Sequence, residues 1–211
     1  MMDSFFVNPQ LLLVNLIPAI LDPENLLIKG NKKEPLTGLQ YKEALGIFIL
    51  SETMNYSYNS QIKKVKFDII SADYEDTNND DGMLLITFKE SDHAIITYLE
   101  QVSVTTHQKG DITIEVLKQI EKKHRKYSED YYRNRILLIF TDKIGQISIE
   151  SVKESLRMEK KFYYYALFCL ERFIDNIYIY TVVNINHEVN YYKKFIVEID
   201  TIKQSYKLSN G

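Results

Sequence analysis

One cysteine, no tryptophan, four prolines and seven scattered glycines among 211 residues leave this chain without several common devices. Cys169 alone excludes an internal disulfide, no metal-ligand spacing surrounds it, and its expected place is the core of an apolar helix. The dispersed glycines exclude a glycine-rich phosphate loop. His93, His107, His124 and His187 lie too far apart for a His-x-x-x-His zinc pair or a nucleophile and base set by spacing. The apolar run from Leu11 to Leu21 is shorter than a membrane span, is broken by Asn15 and Pro18, and has no basic residue before it. A signal peptide, a transmembrane helix and a membrane partner are therefore not expected, and a reducing, intracellular (cytoplasmic) compartment is. A formal charge of -3 gives no global pull toward nucleic acid or anionic lipid, so binding to either requires a local basic patch.

What is present is enough apolar residue for a packed core. Hydrophobic residues make up 45% and charged residues 26%, the usage of a globular α/β chain rather than a disordered one. Residues 1–35 read as an N-terminal extension ending in a Lys/Asn/Gly/Pro loop, and residues 36–211 as one α/β domain. Thr37-Gly-Leu-Gln40 fits a capping box, and the helix that it opens is expected to reach about Thr53, with Leu45, Phe48 and Ile49 as its apolar stripe. Three β-type segments follow: Lys63 to Tyr74, Met83 to Glu90 and Ala94 to Val104. In the first, Val65, Phe67 and Ile69 alternate with Lys64, Lys66 and Asp68. Glu75 to Gly82 reads as a hairpin connection rich in turn formers.

Asp111 or Thr113 is expected to cap a helix reaching Lys126, with Ile114, Leu117 and Ile120 on one face. Its end, Lys122-Lys-His-Arg-Lys126, complements the helix dipole. Ile136 to Phe140 is a continuous apolar run, as expected of a strand buried on both faces in the middle of a sheet. Ser148 is expected to open a helix with Ile149, Val152, Leu156, Tyr163, Ala166, Leu167 and Leu170 on one buried stripe. Asn176 to Val183 and Tyr191 to Ile199 read as closing strands, paired as a hairpin.

A helix beginning Gly38-Leu-Gln40-Tyr41, three strands, then helix, strand and helix resembles the restriction-endonuclease-like, PD-(D/E)XK, nuclease superfamily. The nearest likeness is to nuclease-like domains of anti-phage effectors and of the cytoplasmic incompatibility factors of insect endosymbionts. The resemblance covers about residues 36–185. It implies an α-β-β-β-α-β core with a mixed sheet flanked by helices, and a cell-internal or delivered effector. That chemistry sets strand carboxylates around Mg²⁺ and a lysine beside the attacking water. Two registers are open. In one, Asp68 is the strand carboxylate and Thr87-Phe-Lys89 stands at the Glu-x-Lys position, with the neutral Thr87 for the acid. In the other, Glu100-Gln101-Val-Ser103 stands there, Gln101 matching the Gln of Gln-x-Lys and the uncharged Ser103 replacing the lysine.

Glu43, Asp81 and Asp92 are the further acids available. The resemblance with incomplete motifs implies a catalytically degenerate domain that needs no cofactor and either holds a DNA backbone through Lys89, Arg125, Lys126 and Arg157 or presents its acidic surface to a protein partner, which the net charge favours. The alternative is an active Mg²⁺-dependent DNA endonuclease with Asp68 on the metal, Lys89 orienting water, and Glu43 or Asp81 as the substitute acid; Gln101 is the site candidate of the other register.

Overall fold

The computed structural model describes residues 38–57, 62–69, 81–90, 93–104, 110–141, 145–159, 161–185, 192–200, 202–203 and 205–211, without the side chains of 38–43, 67–69 and 173. The chain forms two compact units, Met1–Glu100 and Gln101–Gly211. Both are built of strands and helices, and nearly all strand pairs are antiparallel.

In the first unit, helix α1 (Gly38–Ser57) precedes strands β1 (Ile62–Ile69), β2 (Gly82–Phe88) and β3 (Ala94–Val104), whose last four residues belong to the second unit. The strands form an antiparallel meander: Val65 pairs with Ile86, and Ile86 with Ile95. The alternation expected in β1 is present, with Val65 buried and Lys64 and Lys66 exposed. Instead of the expected stripe, α1 is buried at every position from Ala44 to Ser51. Ile47 and Leu50 are as covered as Leu45 and Phe48, so the helix is enclosed rather than half-solvated. Its buried hydroxyls bond back to the preceding turn, Ser51 to the Phe48 carbonyl at 2.8 Å and Thr53 to that of Leu50 at 2.9 Å. The helix continues one turn past Thr53, and there Asn55 replaces a neighbouring strand. Its carboxamide accepts from the Val65 N–H at 2.7 Å and donates to the Val65 carbonyl at 3.3 Å. Two backbone groups on the side of β1 away from β2 are thereby satisfied.

In the second unit the elements are α2 (Thr113–His124), α3 (Glu129–Tyr132), β4 (Arg135–Thr141), α4 (Ile149–Met158), β5 (Tyr164–Ile174), β6 (Ile177–Ile185), β7 (Tyr192–Asp200) and β8 (Ser205–Asn210). Strands β4 and β5 are parallel, and β5 through β8 are antiparallel neighbours, so the sheet is mixed. The expected order α-β-β-β-α-β is present, with the one-turn α3 added before β4. Strand β4 is buried from Ile136 to Thr141, as a continuous apolar run requires. Leu137, Tyr165 and Ile185 lie side by side across three strands, as do Ile139, Leu167 and Val183. Val116 and Ile120 of α2 and Val152 and Leu156 of α4 share one core with these residues.

The helix expected to run from Ser148 to Leu170 ends at Met158, and its second half is strand β5. Tyr164 to Leu170 is apolar or aromatic at every position and buried on both faces. Such a run matches a helical stripe as readily as a strand, and tertiary pairing on both sides decides for the strand. Cys169 consequently sits on a strand, where burial pushes its thiol up to about 12. Helix α2 also turns its faces differently from the expectation: Thr113, Val116, Ile120 and His124 are buried, whereas Ile114 is 64% exposed. The helix stops at His124, two residues before Lys126. Its N-cap position is Ile112, but Asp111 accepts from Thr113, whose side chain first and whose backbone N–H, at 2.8 Å, second hold the Asp111 carboxyl below its ordinary range. Ser148 does cap α4, accepting from the Ser151 N–H. The closing strands pair as a hairpin, and β8 is an addition that the sequence did not suggest.

Candidate functional site

The meander's register fixes where the expected site residues lie. In β1, Asp68 pairs with Met83, and Ile69 with Gly82. The Asp81 N–H donates to the Leu99 carbonyl at 2.8 Å, which seats Asp81 beside Glu100 at the same end of the meander. Gln101 is the next residue of β3 and is buried, as is Glu100. Lys89 lies at the opposite end, exposed in the turn that follows β2, where the Phe88 N–H bonds the His93 carbonyl at 2.9 Å. Lys89 lies six residue steps along β2 and its turn from Met83, the partner of Asp68, which is about 20 Å along an extended strand. Thr87 pairs with Lys64, not with a residue beside Asp68.

The register thus gathers Asp68, Asp81 and Glu100 toward one end and leaves Lys89 at the other. Ser103, where the second register needs a lysine, is half-buried in β3 and carries no charge. Glu43 lies on α1, and its side chain, like that of Asp68, is outside the described residues; Asp92 is outside them entirely. Among the described residues no three His, Cys, Asp or Glu side chains form a group that could hold a metal ion. Mg²⁺ takes a near-octahedral oxygen shell, usually with one or two carboxylates, and the described part of this end contributes Asp81 and Glu100 alone.

The second unit contains two features that sequence reasoning undervalued. The first is charge: residues 118–135 contain seven basic and three acidic side chains, an excess of four in a chain of net charge -3. Lys118, Lys122, Arg125, Lys126 and Arg133 are exposed there. Arg125 pairs with Glu121 one turn back, and Arg133 lies 3.6 Å from Asp130. Lys126 sits 4.5 Å over the Tyr127 ring, Tyr127 stacks on Tyr131 at 3.8 Å, and the Arg135 guanidinium lies 3.8 Å from the Tyr131 centroid. There is no room for two partners on one face of a ring, so the four side chains form a layered stack with a cation at each end. Arg157 is exposed on α4.

The second feature lies beneath that stack, where three buried side chains tie α2, α3 and the start of β5 together. The Tyr132 hydroxyl accepts from the Tyr127 N–H at 3.0 Å and has the carbonyls of Lys123, His124 and Tyr127 within 2.8 to 3.1 Å. It closes the C-terminal end of α2, whose last carbonyls have no partner within the helix. The Tyr165 hydroxyl accepts from the Lys161 and Phe162 N–H groups, each at 3.0 Å, and lies 2.9 Å from His124 Nε2. Burial pushes the Tyr165 phenol up to about 12, and burial also holds the His124 imidazole below its ordinary value of 6.5. The dense tyrosines of residues 127–132 and 162–165 were the available signal, but spacing alone does not show which hydroxyl meets which backbone group.

Among the described residues, no helix is long and apolar enough to cross a membrane. No protein-family model and no curated protein matches this chain.

Proposed function

We propose that this chain is a nuclease-fold domain of the restriction-endonuclease-like type whose catalytic set is lost, and that it acts as a binding module. The observation that supports the reading is the β1–β2 register, which puts Asp68 at one end of the hairpin and Lys89 at the other. A carboxylate and a lysine that far apart cannot serve one phosphodiester, because reacting groups must lie within hydrogen-bond reach or one water of each other. In the second register the uncharged Ser103 stands where the lysine is required. The charge excess of residues 118–135 favours an anionic partner, the DNA backbone before a protein surface.

A plasmid assay with Mg²⁺ or Mn²⁺ tests the reading. No metal-dependent nicking is expected from the native chain, while duplex retention falls steeply as salt is raised. Nicking abolished by both Asp68→Ala and Lys89→Ala would overturn it in favour of an active endonuclease. Cleavage that survives Lys89→Ala would also overturn it, with a different catalytic set.

A further inference from the structure

The groups around the Tyr165 hydroxyl fix where its proton points. A phenol has one proton, and its oxygen has two lone pairs. The N–H groups of Lys161 and Phe162 both point at that oxygen and occupy the lone pairs. The contact with His124 Nε2 must therefore carry the Tyr165 proton, donated from oxygen to nitrogen. It follows that His124 is neutral, with its own proton on Nδ1.

We propose that His124 and Tyr165 form an acid-released latch that holds the end of α2 against the turn at residues 161–162 in the second unit. When a proton from solvent adds to Nε2, the O–H···N bond breaks because its acceptor is gone. Three donors, the two backbone N–H groups and the new Nε2–H, then face an oxygen with two lone pairs, and the Tyr165 proton has lost its acceptor. The imidazolium would also sit at a site only 3% exposed, in contact with the Phe162 ring at 6.1 Å between centroids. The pair must separate for the charge to be solvated, which uncouples the last turn of α2 from Lys161 and Phe162. The basic run at Arg125 and Lys126 follows that turn directly.

The groups around His124 divide in sign. Burial opposes the cation most strongly; Glu159 favours it, Lys161 opposes it and Glu129 of α3 favours it. Glu129 and Glu159 are themselves held by Lys161, at 3.4 and 3.6 Å. Tyr165 of β5, whose phenol is pushed up to about 12 by burial, stays neutral throughout the range that matters. A depressed histidine value means that the unfolded or opened chain binds the proton more tightly. The latch is thus fully closed above the ordinary value of about 6.5 and loosens as pH falls below it.

Nuclear magnetic resonance tests this on the native chain, by the ring nitrogens of His124 and the exchange protection of the Lys161 and Phe162 amides between pH 8 and 5. The expected result is the Nδ1–H tautomer at pH 8, and protection of those two amides falling by up to tenfold per pH unit below about 6.5 while Leu167 and Phe168 remain protected. His124→Gln keeps an acceptor but does not titrate, so its amides should show no such pH dependence. An Nε2–H tautomer at pH 8 would overturn the latch, as would the same pH profile in the glutamine variant. If that variant does not fold, the tautomer and amide profile of the native chain decide. The latch concerns residues remote from Asp68 and Lys89 in sequence and goes beyond the binding reading, which a negative result here leaves intact.

Discussion

Two clusters of polar side chains, the acids at one end of the β1–β2–β3 meander and the tyrosine–histidine group of the second unit, show opposite kinds of order. In the second unit the Tyr132 and Tyr165 hydroxyls each meet at least two backbone groups outside their own element, and the two N–H groups at Tyr165 leave its proton to face His124. In the first, the register brings Asp81 to Glu100 yet sends Lys89 away from Asp68. Matching residue types along the chain is thus a weaker statement than matching partners in space. The cluster without a recognised motif is the one whose geometry is complete.

Substitutions sharpen that contrast. Phe162 is fully buried and packs edge-on against Tyr132 and Tyr165, at 4.9 and 5.9 Å between centroids. Phe162→Ala should cost about 3–5 kcal/mol in denaturant unfolding, from the lost ring and the cavity that it leaves. A loss under about 1 kcal/mol would mean that the hub is not packed as described. A smaller effect is expected in the first unit, where Asn55→Ala leaves the Val65 N–H and carbonyl without their side-chain partner. About 1–2 kcal/mol should be lost, and the exchange protection of the Val65 amide with it. Unchanged protection would show that Asn55 does not seal the edge of β1.

The residues themselves explain what could be foreseen. Strand β1 was legible because lysines alternate with Val65 and Phe67, which fixes period two. Helix α4 was legible at its start, where Ser148 is a capping residue, but not at its end. From Tyr164 to Leu170 no polar residue marks a face, and charge at Glu159 to Lys161 can sit on a helix or in a turn. The stop signal was present further on: Asp175 and Asn176 adopt φ of 50° and 66°, the two positive values of a tight hairpin turn joining β5 to β6. Ile114 is apolar, and residue type alone puts it on the buried face, whereas the helix rotates to bury His124, which bonds Tyr165. The acids of the candidate site were visible as residue types, but their pairing depended on a strand register that composition cannot give.

That register is directly measurable. In the double variant Asp68→Cys, Lys89→Cys, spin labels would attach at the two introduced positions, because the native Cys169 is 5% exposed and its thiol is held near 12. Pulsed dipolar spectroscopy should return a separation of about 20 Å or more, the span of six extended residues. A label pair too close for the method, as for positions facing across neighbouring strands about 5 Å apart, would put Lys89 beside Asp68 and contradict the account.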